Sequence, residues 1–324
     1  MITTPFTQAF GVQHPIVCGG MLAVGTAELI AAVAEAGALG FLSGLTQPSP
    51  DALVAEIERT RQLTDRPFGV NLTILPTISP VPYDEYVEAI IRSGVPFVET
   101  AGRSPAEYME RFAAAGVKVV HKAVAVRHAR SAQRLGVDAV SIDGFECAGH
   151  PGEEHIGGIV LIPAATAVID IPIIASGGIA DGRGLAAALA LGAGAVNMGT
   201  RFVATVESTV HENVKAQIVA NDERMTNVVF QKFANSARVA KNSVSDEIIE
   251  IEKRDGTTFA DVAHLASGAR GREEVLRKGD MEGGVWWASQ SQGLVHDVPT
   301  VKVLVDRMVA EAEQVLERLP SLVS

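Results

Sequence analysis

Glycines and hydroxyls recur at two points near residue 200 in a pattern suited to holding a phosphate. Ser176-Gly177-Gly178 removes side chains where the backbone must turn sharply or let a ligand approach. Gly199-Thr200 repeats the device after a second apolar run. Two such turns at the same end of a sheet present backbone N–H groups and hydroxyls, with no lysine clamp needed. His150 sits in an unusual loop, Gly144 to Glu153 (G-F-E-C-A-G-H-P-G-E). Its ordinary pKa lies near working pH, which suits general acid–base work or donation to a substrate oxygen. His155 is a weaker candidate nearby. Lys122 follows His121 at the end of an apolar run and can stand beside a phosphate or the electron-rich side of a ring. Asn71 and Thr73 can hydrogen-bond a ring or a polyol chain, although turn capping also explains an Asn there. Thr200 can give its hydroxyl to a phosphate, whereas Arg201 suits pairing with an acid. Cys147 has no assignable base partner, so a nucleophilic role is not expected. Trp286-Trp287 can lid a flat ring, with one of the two expected in a core.

These residues need elements to place them. Short apolar runs read as buried parallel strands at His14–Gly20, Ala38–Ser43, Pro67–Leu72, Phe97–Thr100, Val117–Lys122, Ala139–Asp143, Ile173–Ala175 and Ala195–Met198. Helical or Gly-rich segments separate them. Asp181, for example, can cap a helix that runs to Leu191 and stops at Gly192. Eight βα units inside about 200 residues are the count that closes a barrel. The fold expected is therefore α/β, a (β/α)8 TIM barrel. An open doubly wound sheet has the same local grammar but would gather its informative residues at one crevice. Here Gly20, Ser43, Asn71, Thr100, Lys122, Asp143, Ser176 and Gly199 would ring one face, and the loops after strands seven and eight are the usual phosphate site of a barrel.

After about His211 charge rises and strand runs thin out. Residues 1–211 read as the barrel, 212–300 as a smaller, mainly helical cap or substrate domain, and 301–324 as a helix that completes the barrel. Asn213–Ala220, Asp222–Ala240, Asp246–Lys253 and Arg272–Lys278 read as the cap's helices.

Composition bounds the partners. The chain has 324 residues, 47% hydrophobic and 20% charged, so a large core is available. A net charge of −11 argues against nucleic acid, which calls for a basic face. The two cysteines, Cys18 and Cys147, form neither a zinc pair nor a disulfide framework, and a reducing compartment is the natural reading. No metal motif appears. The N-terminus lacks the pattern of a secretory signal. The most apolar window, Gly158 to Ala175, is broken by Pro163, Asp170 and Pro172, so no membrane span is expected. A cytoplasmic enzyme of small molecules is the expectation, and a homodimer is compatible with it.

The chain resembles the nitronate monooxygenase superfamily, once called 2-nitropropane dioxygenases. The resemblance runs over nearly the whole length. It is carried by G-G-M at Gly19 to Met21, R-P-F-G-V-N-L-T at Arg66 to Thr73 and H-K at His121-Lys122. Further matches are D-G-F-E-C-A-G-H-P-G-E at Asp143 to Glu153, S-G-G-I-A-D-G-R-G at Ser176 to Gly184 and M-G-T-R-F at Met198 to Phe202. The Asp143–Glu153 loop and L-P-T-x-x-P-V-P-Y (Leu75 to Tyr83) are most similar to the bacterial NADH:quinone reductase branch. The resemblance implies tightly bound FMN, touched by Gly20, Met21 and Leu22, with Thr73 and Lys122 along it and Ala148 near the ring; Asn71, read from its own hydrogen-bonding capacity, is expected to join them. It places Ser176, Gly178, Gly199 and Thr200 around the phosphate, where the turn reading also puts Gly177, and makes His150 the active-site histidine. It implies NADH or NADPH as reductant and a quinone-like acceptor. Oxidation of alkyl nitronates with O2 and reduction of enoyl thioesters are the alternatives within the superfamily. Two positions depart from the pattern. Leu22-Ala23 stands where members commonly carry Gln-Trp, and Ile78 where a polar residue is common. The smaller Ala23 is expected to widen the pocket for a bulkier or more apolar substrate.

Overall fold

A computed structural model describes residues 2–74 and 81–322. Eight parallel strands close into a barrel in chain order: β1 (Ile16–Cys18), β2 (Leu39–Ser43), β3 (Gly69–Ile74), β4 (Phe97–Gly102), β5 (Lys118–Ala123), β6 (Ala139–Asp143), β7 (Ile173–Ser176) and β8 (Ala195–Asn197). β8 returns to β1, with Val17 opposite Asn197. This is the expected (β/α)8 TIM barrel, and each expected strand run coincides with one of these strands. The runs are apolar along their length because parallel strands are covered by helices outside and by one another's side chains inside.

The two-residue period of a strand decides what fills the barrel. Val17, Leu39, Phe41, Phe97, Val120, Ala139, Ile174 and Ala195 form one apolar layer, joined by Phe6 and Phe10 of the N-terminal helix Pro5–Phe10. The Phe10 and Phe97 ring centroids are 5.2 Å apart. Two positions further along the same strands stand Glu99, Lys122, Ser141 and Asn197. The barrel is thus apolar towards its N-terminal end and polar towards the end where the βα loops converge, which is where barrel enzymes place their chemistry.

The final helix, Val301–Arg318, is capped by Thr300, whose hydroxyl accepts the Val303 N–H at 3.3 Å. It packs on the helix Gly182–Ala190 so closely that a Cβ on Gly182 would stand 2.4 Å from the Met308 carbonyl oxygen. Glu311 accepts the Gly182 N–H at 2.8 Å.

The segment expected to be helical at 222–240 is not. It holds an antiparallel pair, β9 (Thr226–Val229) and β10 (Ala237–Ala240). Thr, Val and Val within these runs favour a pleated surface. The turn between them sets Phe230 at φ 65° and Ala234 at φ 50°, left-handed values that a helix cannot carry. Asn227 then fastens β9 to the helix Ser243–Glu252, donating to Ser245 Oγ at 2.9 Å and Asp246 Oδ1 at 2.8 Å. Val229, Val239, Val244, Ile248 and Val262 belong to an apolar cluster separate from the barrel's.

Candidate active site

A cavity of about 830 Å³ opens at the C-terminal ends of the strands. Every residue expected to hold the cofactor lines it, and so does His150. Of the ring read from the strand ends, only Thr100 is off the wall. Its hydroxyl is 2.8 Å from His121 Nδ1 instead. Ile78 lies outside the described residues.

The turns after β7 and β8 are built as anion donors. Gly177 and Gly178 adopt φ of 90° and 77°, values that oppose any side chain. A Cβ on Gly177 would also stand 2.9 Å from the Gly144 carbonyl oxygen. The N–H groups of Gly177, Gly178 and Gly199 donate to no protein group among the described residues. Thr200 Oγ1 accepts the Ser289 N–H at 3.0 Å, and Ser176 Oγ accepts from Asn197 Nδ2 at 3.2 Å. With an acceptor position of each oxygen used, both hydroxyl hydrogens can turn to a ligand. The donor set therefore fits a phosphate. Arg201 takes no part. Its guanidinium, 2% exposed, binds Asp297 Oδ1 at 3.0 Å and the Asp297 carbonyl, the acid pairing expected for it.

On the opposite part of the strand ring, Gly20 must be glycine, because a Cβ there would fall 2.1 Å from Asn71 Cβ. Thr73 Oγ1 donates to Asn71 Oδ1 at 2.9 Å, and Asn71 Nδ2 donates to Glu99 Oε2 at 2.7 Å. Lys122 Nζ lies 3.5 Å from Asp143 Oδ1. Burial alone would lower the Lys122 pKa, but Asp143 and Glu99 outweigh it and keep the ammonium charged. His121 behaves oppositely: burial, with His128 adding to it, pushes its pKa down to about 4.

The loop that carries His150 is held from two sides. Gly149 and Arg238 exchange backbone hydrogen bonds at 3.0 and 2.6 Å, which joins the loop to β10. Arg238 also donates to the Phe145 carbonyl and stands 4.8 Å over the Phe145 ring. Glu153 accepts from Ser236 N at 2.7 Å, and Glu146 Oε1 accepts the Gly158 N–H at 3.0 Å, where the helix Gly158–Thr166 begins. His150 is open to the cavity yet wrapped by protein. That surrounding lowers its pKa, with Glu153 opposing, so the imidazole is neutral at pH 7. Its ring centroid is 5.7 Å from that of Trp287. Trp286 is buried in core and Trp287 is half exposed, the division expected of the pair. His155 turns away and stacks on Phe145 at 4.3 Å. Cys147 is buried and its thiol is pushed up by burial and Asp143, so no thiolate forms at neutral pH.

Three contributors escaped sequence reasoning. Glu99 and Asn197 were legible only as polar residues inside otherwise apolar strand runs. Ser289 carries no local signal, since only the tertiary fold brings it to Thr200. Of the two positions that depart from the pattern near Gly20, Leu22 lines the cavity and Ala23 does not. Ala23 takes φ 65° and donates its N–H to Thr46 Oγ1 at 2.8 Å.

The model of the family described as nitronate monooxygenase matches residues 3–79 and 74–311. The chain belongs to the nitronate monooxygenase family. Among curated relatives, it is 32% identical to the (3aS,4S,5R,7aS)-5-hydroxy-7a-methyl-1-oxo-octahydro-1H-indene-4-carboxyl-CoA dehydrogenase of Rhodococcus jostii, covering 99% of both chains. It is 29% identical to a probable nitronate monooxygenase of Staphylococcus saprophyticus, covering 98% of this chain and 99% of that one. Among solved structures, FabK from Thermotoga maritima superposes with a TM-score of 0.91 at 36% identity over 100% of both chains. These family relationships make the chain an oxidoreductase. Among the described residues, no helix is long and apolar enough to cross a membrane.

Proposed function

We propose that this member of the nitronate monooxygenase family is an FMN-dependent oxidoreductase acting on a bulky, largely apolar acyl thioester. The observation that carries the reading is His150 facing Trp287 on the same cavity as a phosphate donor set. Ser176, Gly177, Gly178, Gly199 and Thr200 would hold the FMN phosphate. Gly20, Met21 and Leu22, with Asn71, Thr73, Lys122 and Ala148, would hold the rest. When bound, FMN supplies two-electron exchange with the substrate.

The chain's own groups do the remaining work. Leu22 and Trp287 give the substrate space an apolar wall. Lys122 keeps a fixed positive charge on the wall, since Asp143 and Glu99 hold it protonated. His150 enters uncharged, so its imidazole can take a proton from a substrate oxygen or carbon, or return one, without first losing its own charge. The volume admits a ring system beyond the cofactor, and the Rhodococcus relative's name supports a thioester of an alicyclic acid as the class.

A second reading is NADH:quinone reductase, with NADPH as the alternative donor. The half-exposed Trp287 and Leu22 at the cavity favour a flat apolar ring as much as an acyl chain. Anaerobic stopped-flow mixing separates the readings. Flavin bleaching by NADH, followed by reoxidation with crotonyl-CoA or a cyclic enoyl-CoA, supports the thioester reading. Reoxidation by quinones alone supports the second. Oxygen uptake with propyl-2-nitronate and no NADH would replace both with nitronate oxidation.

A further inference from the structure

The polar layer inside the barrel contains a carboxyl group whose part so far is only its effect on Lys122. Glu99 is 0% exposed and does not line the cavity. Its Oε2 nevertheless accepts from the Gly20 N–H at 2.8 Å and from Asn71 Nδ2 at 2.7 Å, and both donors do line it. The other oxygen, Oε1, has no hydrogen-bond partner among the described residues. A Cβ on Gly19 would stand 2.9 Å from that oxygen, so bare backbone at Gly19-Gly20 is what parts the carboxylate from the cavity.

A carboxyl group with an unpaired oxygen is costly to bury, and an apolar side chain would fill the place as Phe97 fills the layer before it. The cost is explained if the group acts on what lies across the wall. Two effects follow from the geometry. With Nδ2 given to Glu99 and Oδ1 accepting from Thr73, the Asn71 amide is fixed and one N–H is left for a ligand. The Gly20 turn is fixed by the same oxygen. Two acidic residues, Asp143 at 3.5 Å and the buried Glu99, act on the one ammonium of Lys122.

We propose that Glu99 is a positioning residue for the flavin, which orients Gly20 and Asn71 towards the ring and sets a fixed negative charge behind it that lowers the flavin's midpoint potential. This rests on the reading of the cavity as an FMN site. A fixed anion opposes the charge that reduction brings to a nearby ring, most strongly where water is excluded.

The test uses the full chain reconstituted with FMN, as wild type, E99Q and E99A, with fold checked by circular dichroism. FMN affinity is read by fluorescence titration and midpoint potential by reductive titration against a reference dye. E99Q keeps an oxygen that can accept both hydrogen bonds and removes the charge. It is expected to bind FMN within about threefold of wild type. Its potential is expected to rise by about 30 mV or more, tenfold in the equilibrium of a two-electron couple. E99A leaves the Gly20 and Asn71 donors unpaired and is expected to bind FMN roughly ten- to a hundredfold more weakly. If E99A does not fold, E99D, which keeps the charge on a shorter stem, takes its place with weaker FMN binding expected. An E99Q potential equal to wild type overturns the charge role, and wild-type affinity in E99A or E99D overturns the positioning role. A wild type that binds no FMN overturns the cofactor reading itself, and this inference with it.

Discussion

Lys122 Nζ and Asp143 Oδ1 face each other at 3.5 Å from neighbouring strands, both largely withdrawn from solvent on the wall of the cavity. Strand pairing places them, since Lys122 lies beside Ser141 and each strand's period turns Lys122 and Asp143 inward. Asp143→Asn keeps the shape and removes the charge. The remaining ammonium then relies on Glu99, and the fold is expected to lose about 2 kcal/mol, below the usual cost of breaking a buried pair because that second carboxylate stays. A lowered thermal midpoint in Asp143→Asn, restored by no salt addition, is the expected reading.

His121 makes stability depend on acid. Its folded pKa, about 4, is below its unfolded value near 6.5, so the unfolded chain binds the extra proton between those values. Stability from this group is therefore intact above pH 6.5 and lost as pH falls towards 4, by up to about 3 kcal/mol. Thermal melts across that window should show a shallower pH dependence in His121→Asn than in wild type.

His150→Gln should leave FMN bound and lower turnover roughly 10²- to 10⁴-fold, the usual worth of a positioned acid–base group. Because the folded His150 pKa is lowered, the neutral form persists below pH 6.5. The acid limb of the wild-type kcat/KM profile should lie on that lower side and be absent from the variant.

Gly177→Ala places a Cβ 2.9 Å from the Gly144 carbonyl oxygen and demands φ near 90°. The strain is about 1 to 3 kcal/mol, and it acts on a phosphate donor. FMN affinity should fall by roughly tenfold or more. Gly136→Ala, also at positive φ but with open space around the new Cβ, should leave it unchanged.

The barrel was legible because each strand is a short apolar run closed by a glycine or polar residue, and that grammar is local. The phosphate turns were legible for the same reason: Ser176-Gly177-Gly178 and Gly199-Thr200 are contiguous. The hairpin at Thr226–Val229 and Ala237–Ala240 was not, because its charged and amide residues fit a helix equally well until the left-handed turn at Phe230 and Ala234 is known. Glu99 and Ser289 were missed for a different reason. Glu99 acts from inside a strand through Gly20 and Asn71, and Ser289 reaches Thr200 from 89 residues away.

The N–H groups of Gly177, Gly178 and Gly199 and the hydroxyls of Ser176 and Thr200 would hold the phosphate of FMN. The most direct test is the affinity of the flavin-free chain for FMN against riboflavin, which differ by that phosphate. Several charge-assisted hydrogen bonds predict that FMN binds roughly a hundredfold tighter or more. Equal affinities would contradict the phosphate site and the function built on it.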